Sequence, residues 1–305
     1  MIIQIANPIY DSVFKYLMED ERIAKTLLSA LLKKDVVAIE ARPHEYSNQT
    51  RDNIAMFRID FSARVREPDG EEHLVLIELQ KTWKETETLR FRQYLGAQYS
   101  DKRNIRKDSK EGYGIPIITI YLLGHRLGNV DVPVVYVYHK SYDYDGNVVS
   151  KGMPDPFIES LAHNSIIVQI PLLHGQVNNR LYKVLSVFDQ SRAYDENRHL
   201  LNVDVKDYEG DASMECIVNR LTAAAASPEM RQDMNVEDEF LSELEKRDTA
   251  LMNRDKKIEK QSEQLKEQNT MIRSLATALK KKGMSMDEIA KTVGVSVEHL
   301  SRLLE

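Results

Sequence analysis

Cysteine is nearly absent: Cys216 stands alone in the chain. A single thiol excludes an intramolecular disulfide framework and a multi-cysteine zinc site, and it fits a reducing, cytoplasmic compartment. The eight histidines are scattered, with neither HxH nor HxxxH spacing, so a histidine-ligated metal has no motif behind it. No run of about 18 apolar residues occurs, so no segment reads as a membrane span. Met1 to Pro8 is too short and too interrupted for a signal peptide. Net positive charge is missing as well. The net charge is −6, which speaks against a general nucleic-acid coat and leaves room for a local basic patch. What is present is ordinary for a soluble domain: 42% hydrophobic residues, and 305 residues in all, enough for one full core and a smaller appendage.

Periodicity predicts a mixed α/β core with helices on the faces of a sheet. Residues 8–33 read as one helix, with Val13, Phe14, Leu17, Ile23, Leu27, Leu28 and Leu31 at helical spacing. Met56 to Val65 alternates and reads as a strand, with Asp60, Ser62 and Arg64 opposite Ile59, Phe61, Ala63 and Val65. Glu67-Pro68-Asp69-Gly70 is a turn signal, and His73 to Lys81 reads as the returning strand of a hairpin. An amphipathic helix follows over 86–103. Ile115 to Leu123 is β-branched and apolar and reads as a buried strand. Val132 to Tyr138 and Ser165 to Ile170 are further strand candidates, and Arg180 to Phe188 opens a helical region.

From residue 236 the composition changes, which predicts three parts: 1–235, 236–282 and 283–305. Residues 236–282 hold neither glycine nor proline, and Leu244, Leu251, Ile258, Leu265, Ile272 and Leu279 recur every seventh residue. The companion core positions are polar except in the last heptad, where Leu275 and Ala276 fill them, so the seam is narrow. It reads either as a homodimeric coiled coil through 240–280 or as a long solvated helix. Residues 283–305 read as a helix-turn-helix-like pair. Ser285-Met286-Asp287-Glu288 forms a capping box, and Gly294 makes the turn. The second helix offers Val297, Glu298, His299, Ser301 and Arg302, a poor electrostatic set for DNA, although Lys280, Lys281 and Lys282 lie just upstream. A DNA-binding pair and a structural hairpin capping the long helix are equal readings.

The chemistry concentrates in the hairpin. A hard divalent cation on two carboxylates neutralises phosphodiester charge and activates water. Glu78 and Gln80 are two apart on one strand and share a face, and Asp60 lies on the polar face of the neighbouring strand. A glutamate in the run Leu74-Val75-Leu76-Ile77-Glu78-Leu79-Gln80 is costly when buried without a partner. The bland alternative is a strand that turns Glu78 and Gln80 to solvent. The combination with Asp60 favours a metal site.

This arrangement resembles the PD-(D/E)XK nuclease superfamily, and within it the Rpn, or YhgA-like, branch of recombination-promoting nucleases, also called transposases. Asp11-Ser12-Val13-Phe14-Lys15 is similar to that branch's DxxFK opening, and Ile77-Glu78-Leu79-Gln80 to its (I/V)ExQ strand. Arg90 and Tyr94 resemble its RxxxY, and Gly112 to Ile120 its next buried strand. The resemblance spans about residues 6–190. It implies a restriction-endonuclease-like mixed sheet flanked by helices, extended here by the helical tail and terminal hairpin.

By resemblance, Asp60 and Glu78 hold Mg²⁺, with Mn²⁺ able to substitute, and the Leu79 backbone carbonyl is a third ligand. Gln80 stands where the wider superfamily often has lysine, as is common in the Rpn branch. It can orient a water but cannot stabilise charge. Ile59 stands where the superfamily's proline would be. Asp11 either aids the metal or complements the helix dipole. Arg90 and Tyr94 either contact the scissile phosphate and support Glu78, or are a surface arginine and an interior tyrosine. Lys15 and the run Lys102, Arg103, Arg106, Lys107 and Lys110 are DNA-contact candidates, with a solvated face as the plain alternative. The expectation is a metal-dependent DNA endonuclease hydrolysing phosphodiesters, promoting recombination or acting on mobile or foreign DNA. Its rival is a catalytically inactive DNA-binding or oligomerising module on a vestigial nuclease fold. No DDE-type triad on an RNase H pattern is present, so strand transfer is not expected.

Overall fold

The computed structural model describes residues 1–41, 45–50, 53–58, 60–81, 85–106, 110–174, 179–194 and 197–304, with the side chains of residues 45–50, 53–58, 85–90, 244–245, 248–249 and 251–252 outside the described set. The chain divides into two compact units, Met1–Glu237 and Asp238–Glu305. In chain order come Ile2–Ala6 (β1), Asp11–Met18 (α1), Glu21–Leu32 (α2), Ala38–Ala41 (β2), Glu45–Thr50 (β3), Asn53–Arg58 (β4), Phe61–Arg66 (β5) and Glu72–Gln80 (β6). There follow Glu85–Ser100 (α3), Ile117–Leu123 (β7), Val134–Val137 (β8), Pro156–Leu161 (α4), His163–Gln169 (β9) and Arg180–Leu185 (α5). The last elements are Ala193–Tyr194 (β10), Asn197–Asp204 (β11), Ala212–Ala226 (α6), Pro228–Lys281 (α7), Met286–Val293 (α8) and Val297–Leu304 (α9).

Six strands form a mixed sheet in the order β2-β5-β6-β7-β9-β8. β5 and β6 pair antiparallel around the expected turn, where Gly70 takes φ +89°, a conformation that a Cβ disfavours. β7 runs parallel to β6, and β9 parallel to β7. Parallel neighbours need a crossover, and α3 supplies it between β6 and β7. β1, β11 and β10 form a second sheet, and β3 and β4 a two-stranded ladder.

Strand parity sorts the side chains between two layers. Val75 and Ile77 join Phe61, Ala63, Ile120 and Leu122 in the larger core, against Phe14 of α1 and Leu28 of α2. Leu74 and Leu76 point the other way, into a cluster with Phe91 and Tyr94 of α3. Each such fully buried aliphatic side chain contributes about 1.5–3 kcal/mol. Glu78 and Gln80 follow the parity of Leu74 and Leu76, so they share the α3 layer. The molecule is therefore a mixed α/β protein with helices on both faces of a mixed sheet.

Local chemistry revises several expectations. The helix over 8–33 is two helices, because the Asp20 side chain accepts the Arg22 N–H and starts α2 afresh. The strand over 56–65 is also two. β4 ends at Arg58, Asp60 sits in a bend, and β5 starts at Phe61. The Asp60 carboxylate accepts the Leu79 N–H, so a side chain takes over where the backbone ladder stops. Ile59 lies outside the described residues. The helix over 86–103 ends at Ser100, and Asp101 caps a short turn over Lys102–Asn104. The long helix starts at Pro228, ahead of the change in composition.

In the second unit, Ala276 of α7 packs with Ile289 and Ala290 of α8 and Leu300 of α9. The capping box of Ser285 and Glu288 is formed, and Gly294 closes α8 at φ +76°. Upstream on the seam, Ile258 is 54% exposed and Leu265 59% exposed. No helix of the described residues is long and apolar enough to cross a membrane.

Candidate metal centre

The last pair of the β5–β6 ladder is Phe61 with Ile77. One step further along this antiparallel register, Asp60 stands opposite Glu78. Leu79, between Glu78 and Gln80, donates its N–H to the Asp60 carboxylate. A strand residue directs its N–H and C=O to the same side, so the Leu79 carbonyl also faces the β5 side of the strand. Gln80 turns its backbone the other way, and its carbonyl accepts the Gly124 N–H at 2.7 Å.

Glu78 is only 2% exposed, so water does little to hydrate its charge. Its field reaches two neighbours. Tyr121, its partner across the β6–β7 ladder, has its hydroxyl pKa raised by burial first and by Glu78 as well, while Thr119 opposes the shift. Asp60 as a residue is half-buried, but its carboxyl is largely desolvated. Its pKa stands well above the usual carboxylate value. Loss of hydration is the first cause, followed by the charges of Glu78 and Asp11; the Leu79 N–H and Lys15 pull weakly the other way. Negative charge is in excess at this spot.

Asp11 opens α1 beside it. Lys15, one turn on, donates to Asp11 Oδ2 at 2.7 Å. Asp11 Oδ1 is buried and has no hydrogen-bond partner among the described residues. The Asp11 N–H donates to Glu237 Oε2 at 2.9 Å; Glu237 lies on α7 and is the last residue of the first unit. A cleft of about 480 Å³, lined by Lys15, Glu19, Glu21, Asp60 and Phe61 among others, opens onto this end of the sheet. An orphaned carboxylate oxygen beside a desolvated carboxyl pair is a donor set for a hard cation.

No family model, curated protein or solved structure matches this chain. Function therefore rests on the chemistry of the site itself.

The remaining expected residues are placed as follows. Tyr94 is buried in the cluster under α3, among Phe91, Leu74 and Leu76. The Arg90 side chain lies outside the described set, as does all of Lys107. Lys81 faces away from Glu78 and Gln80, and its ammonium lies 3.4 Å from the ring centroid of Tyr10. Arg103 forms an ion pair with Asp101 at 2.6 Å, so its charge already has a local partner. Lys102 and Lys110 are exposed, and Arg106 is half-buried.

Among the described residues, three carboxylates approach within 4.8 Å of one another elsewhere, at Glu67, Asp69 and Glu71 of the hairpin turn. Glu67 there is already matched by Lys34 at 2.6 Å and faces His73 at 3.3 Å. Asp69 accepts the Glu71 N–H, an ordinary turn contact. Asp11, Asp60 and Glu78 do not converge as tightly. A Mg²⁺ ion needs only one or two carboxylates, with waters and phosphate completing its shell.

Two residues escaped sequence reasoning. Glu237 is one acid in a Glu-rich helix and carries no local signal. Gly124 follows a buried strand, and a glycine there hints at close backbone approach.

Proposed function

We propose that the protein is a Mg²⁺-dependent DNA endonuclease of restriction-endonuclease-like architecture, with Mn²⁺ able to substitute. The observation that carries the reading is the field on Asp60. Desolvation and the charges of Glu78 and Asp11 raise its proton affinity more than the Leu79 N–H and Lys15 lower it, so the acids are short of positive charge. Asp60 and Glu78 would hold the ion, with the Leu79 carbonyl on the same side. Bound there, Mg²⁺ neutralises phosphate charge and lowers the pKa of its water.

The chain's own groups do the rest. Gln80 is 8% exposed on the Glu78 face, and its amide positions a water without adding charge. Asp11, from α1, offers its unpartnered oxygen to the same pocket, by direct ligation or through a water. Lys15 holds Asp11 and presents its ammonium at the cleft, where a phosphate enters. Lys102 and Arg106 supply backbone contacts further out. The exposed Ile258 and Leu265 fit a homodimeric seam along α7. The protein acts in the cytoplasm on recombining, mobile or foreign DNA.

Calorimetric titration with Mg²⁺ and Mn²⁺ tests the site. Binding that disappears in both Asp60→Asn and Glu78→Gln supports the reading. Absence of binding in the parent protein favours a non-catalytic DNA-binding module on the same fold.

A further inference from the structure

α2 ends on a residue in a conformation that residue disfavours. Lys33 closes the helix at φ 56° and ψ 29°, the left-handed region usually given to glycine or asparagine. Its ammonium lies 3.9 Å from the ring centroid of Tyr136 on β8. Tyr136 is anchored in turn, because its hydroxyl donates to the Leu31 carbonyl at 2.9 Å. Its ring stacks with Tyr138 at 6.0 Å and 14° between planes. Tyr138 is 63% exposed.

Tyr136 lines a cleft of about 920 Å³ between α2, β8 and α5, and Tyr138 lies beside Tyr136 just outside that lining. Lys25, Lys34 and Arg180 line it too, with Asp35 the one carboxylate in the lining. Lys25 pairs with Glu21 at 2.8 Å, Lys34 with Glu67 at 2.6 Å and Arg180 with Asp211 at 2.6 Å. The Lys25–Glu21 pair has an exposed acid and is weak, whereas Lys34 is held by the 3% exposed Glu67; Arg180, with its side chain 48% exposed, gives Asp211 one of its five N–H donors. Among the described residues Lys33 has no carboxylate partner; its charge rests on a ring. α2 separates this cleft from the one at Asp60, and the two have no lining residue in common.

We propose that the cleft binds a nucleotide, its phosphate on Lys33 and Arg180 and its base stacked on Tyr138. The cations suit a phosphate, and the adjoining tyrosines suit a planar base. The cleft is far larger than one phosphate needs. A free nucleotide and a nucleotide within a single strand share this chemistry.

The test uses the full chain in EDTA at physiological salt. Binding of fluorescent oligothymidylate is followed by anisotropy, and thymidine monophosphate serves as competitor. The parent protein binds. Lys33→Gly weakens binding by about tenfold or more, while its melting temperature holds or rises, because glycine relieves the left-handed backbone. Tyr138→Ala weakens binding about fivefold or more at unchanged melting temperature. Competition by the monophosphate identifies a mononucleotide site, and its failure identifies a strand site. Mg²⁺ titrates Lys33→Gly as it titrates the parent, which separates this cleft from the metal centre. Absence of binding by the parent, or full binding by Lys33→Gly, overturns the proposal.

Discussion

The carboxylate of Asp60 accepts the backbone N–H of Leu79, the residue that separates Glu78 from Gln80. One bond thus ties three expected site residues to a common frame. It joins the bend before β5 to the end of β6 just beyond the last ladder pair. The cost is a desolvated acid facing a second buried acid, which a cation relieves.

The pH dependence of stability follows from that cost. Folded Asp60 keeps its proton to higher pH than the ordinary value of 3.8 found in the unfolded chain. Between those two values the folded state binds more protons, so stability falls as pH rises through the window. In EDTA, the melting temperature of the parent declines from its value below the unfolded pKa, and Asp60→Asn removes that part of the decline. Saturating Mg²⁺ restores the loss in the parent and does nothing for Asp60→Asn. Differential scanning calorimetry at several pH values reads all three outcomes.

Glu237 caps α1 from a distance of 226 residues in sequence. Glu237→Ala leaves the Asp11 N–H without its acceptor and costs about 1 kcal/mol in urea denaturation. Glu237→Gln retains an acceptor oxygen and recovers most of it.

Gly124 allows two backbones to meet beside the site. A Cβ there would press on the Lys81 carbonyl oxygen, lie 2.9 Å from its carbon and 3.1 Å from Ile9 Cδ1. Backbone atoms cannot rotate away as a flexible side chain can. Gly124→Ala costs about 1–3 kcal/mol by chemical denaturation. It also displaces Gln80, whose carbonyl takes the Gly124 N–H, so Mg²⁺ affinity falls with it.

The α7 seam predicts self-association. Leu265, 59% exposed in the single chain, sits in the middle of the repeat. Sedimentation equilibrium finds a dimer for the parent, and Leu265→Glu shifts it to monomer with helix content in the single chain preserved.

The central hairpin, α3, β7 and β9 were legible in the sequence, because apolar period and turn residues act locally there. Asp60 and Glu78 were legible as residue types, and the register that opposes them follows from the Glu67 to Gly70 turn. Other features depend on partners far away in the chain. Ile2–Ala6 becomes a strand only by pairing with Asn197–Asp204. The break at Asp20 hides inside an unbroken helical stripe, because a capping aspartate looks like any surface acid until its N–H partner is known. Asp60 follows strand alternation in the sequence, yet its side chain occupies the hydrogen-bonding site that would have extended the ladder.

The most direct measurement is cleavage of supercoiled plasmid in Mg²⁺ by the parent, Asp60→Asn and Glu78→Gln, prepared identically. The account predicts nicked or linear product with the parent, none with either variant, and none with the parent in EDTA. Equal cleavage by all three proteins, or none by the parent in either Mg²⁺ or Mn²⁺, contradicts it.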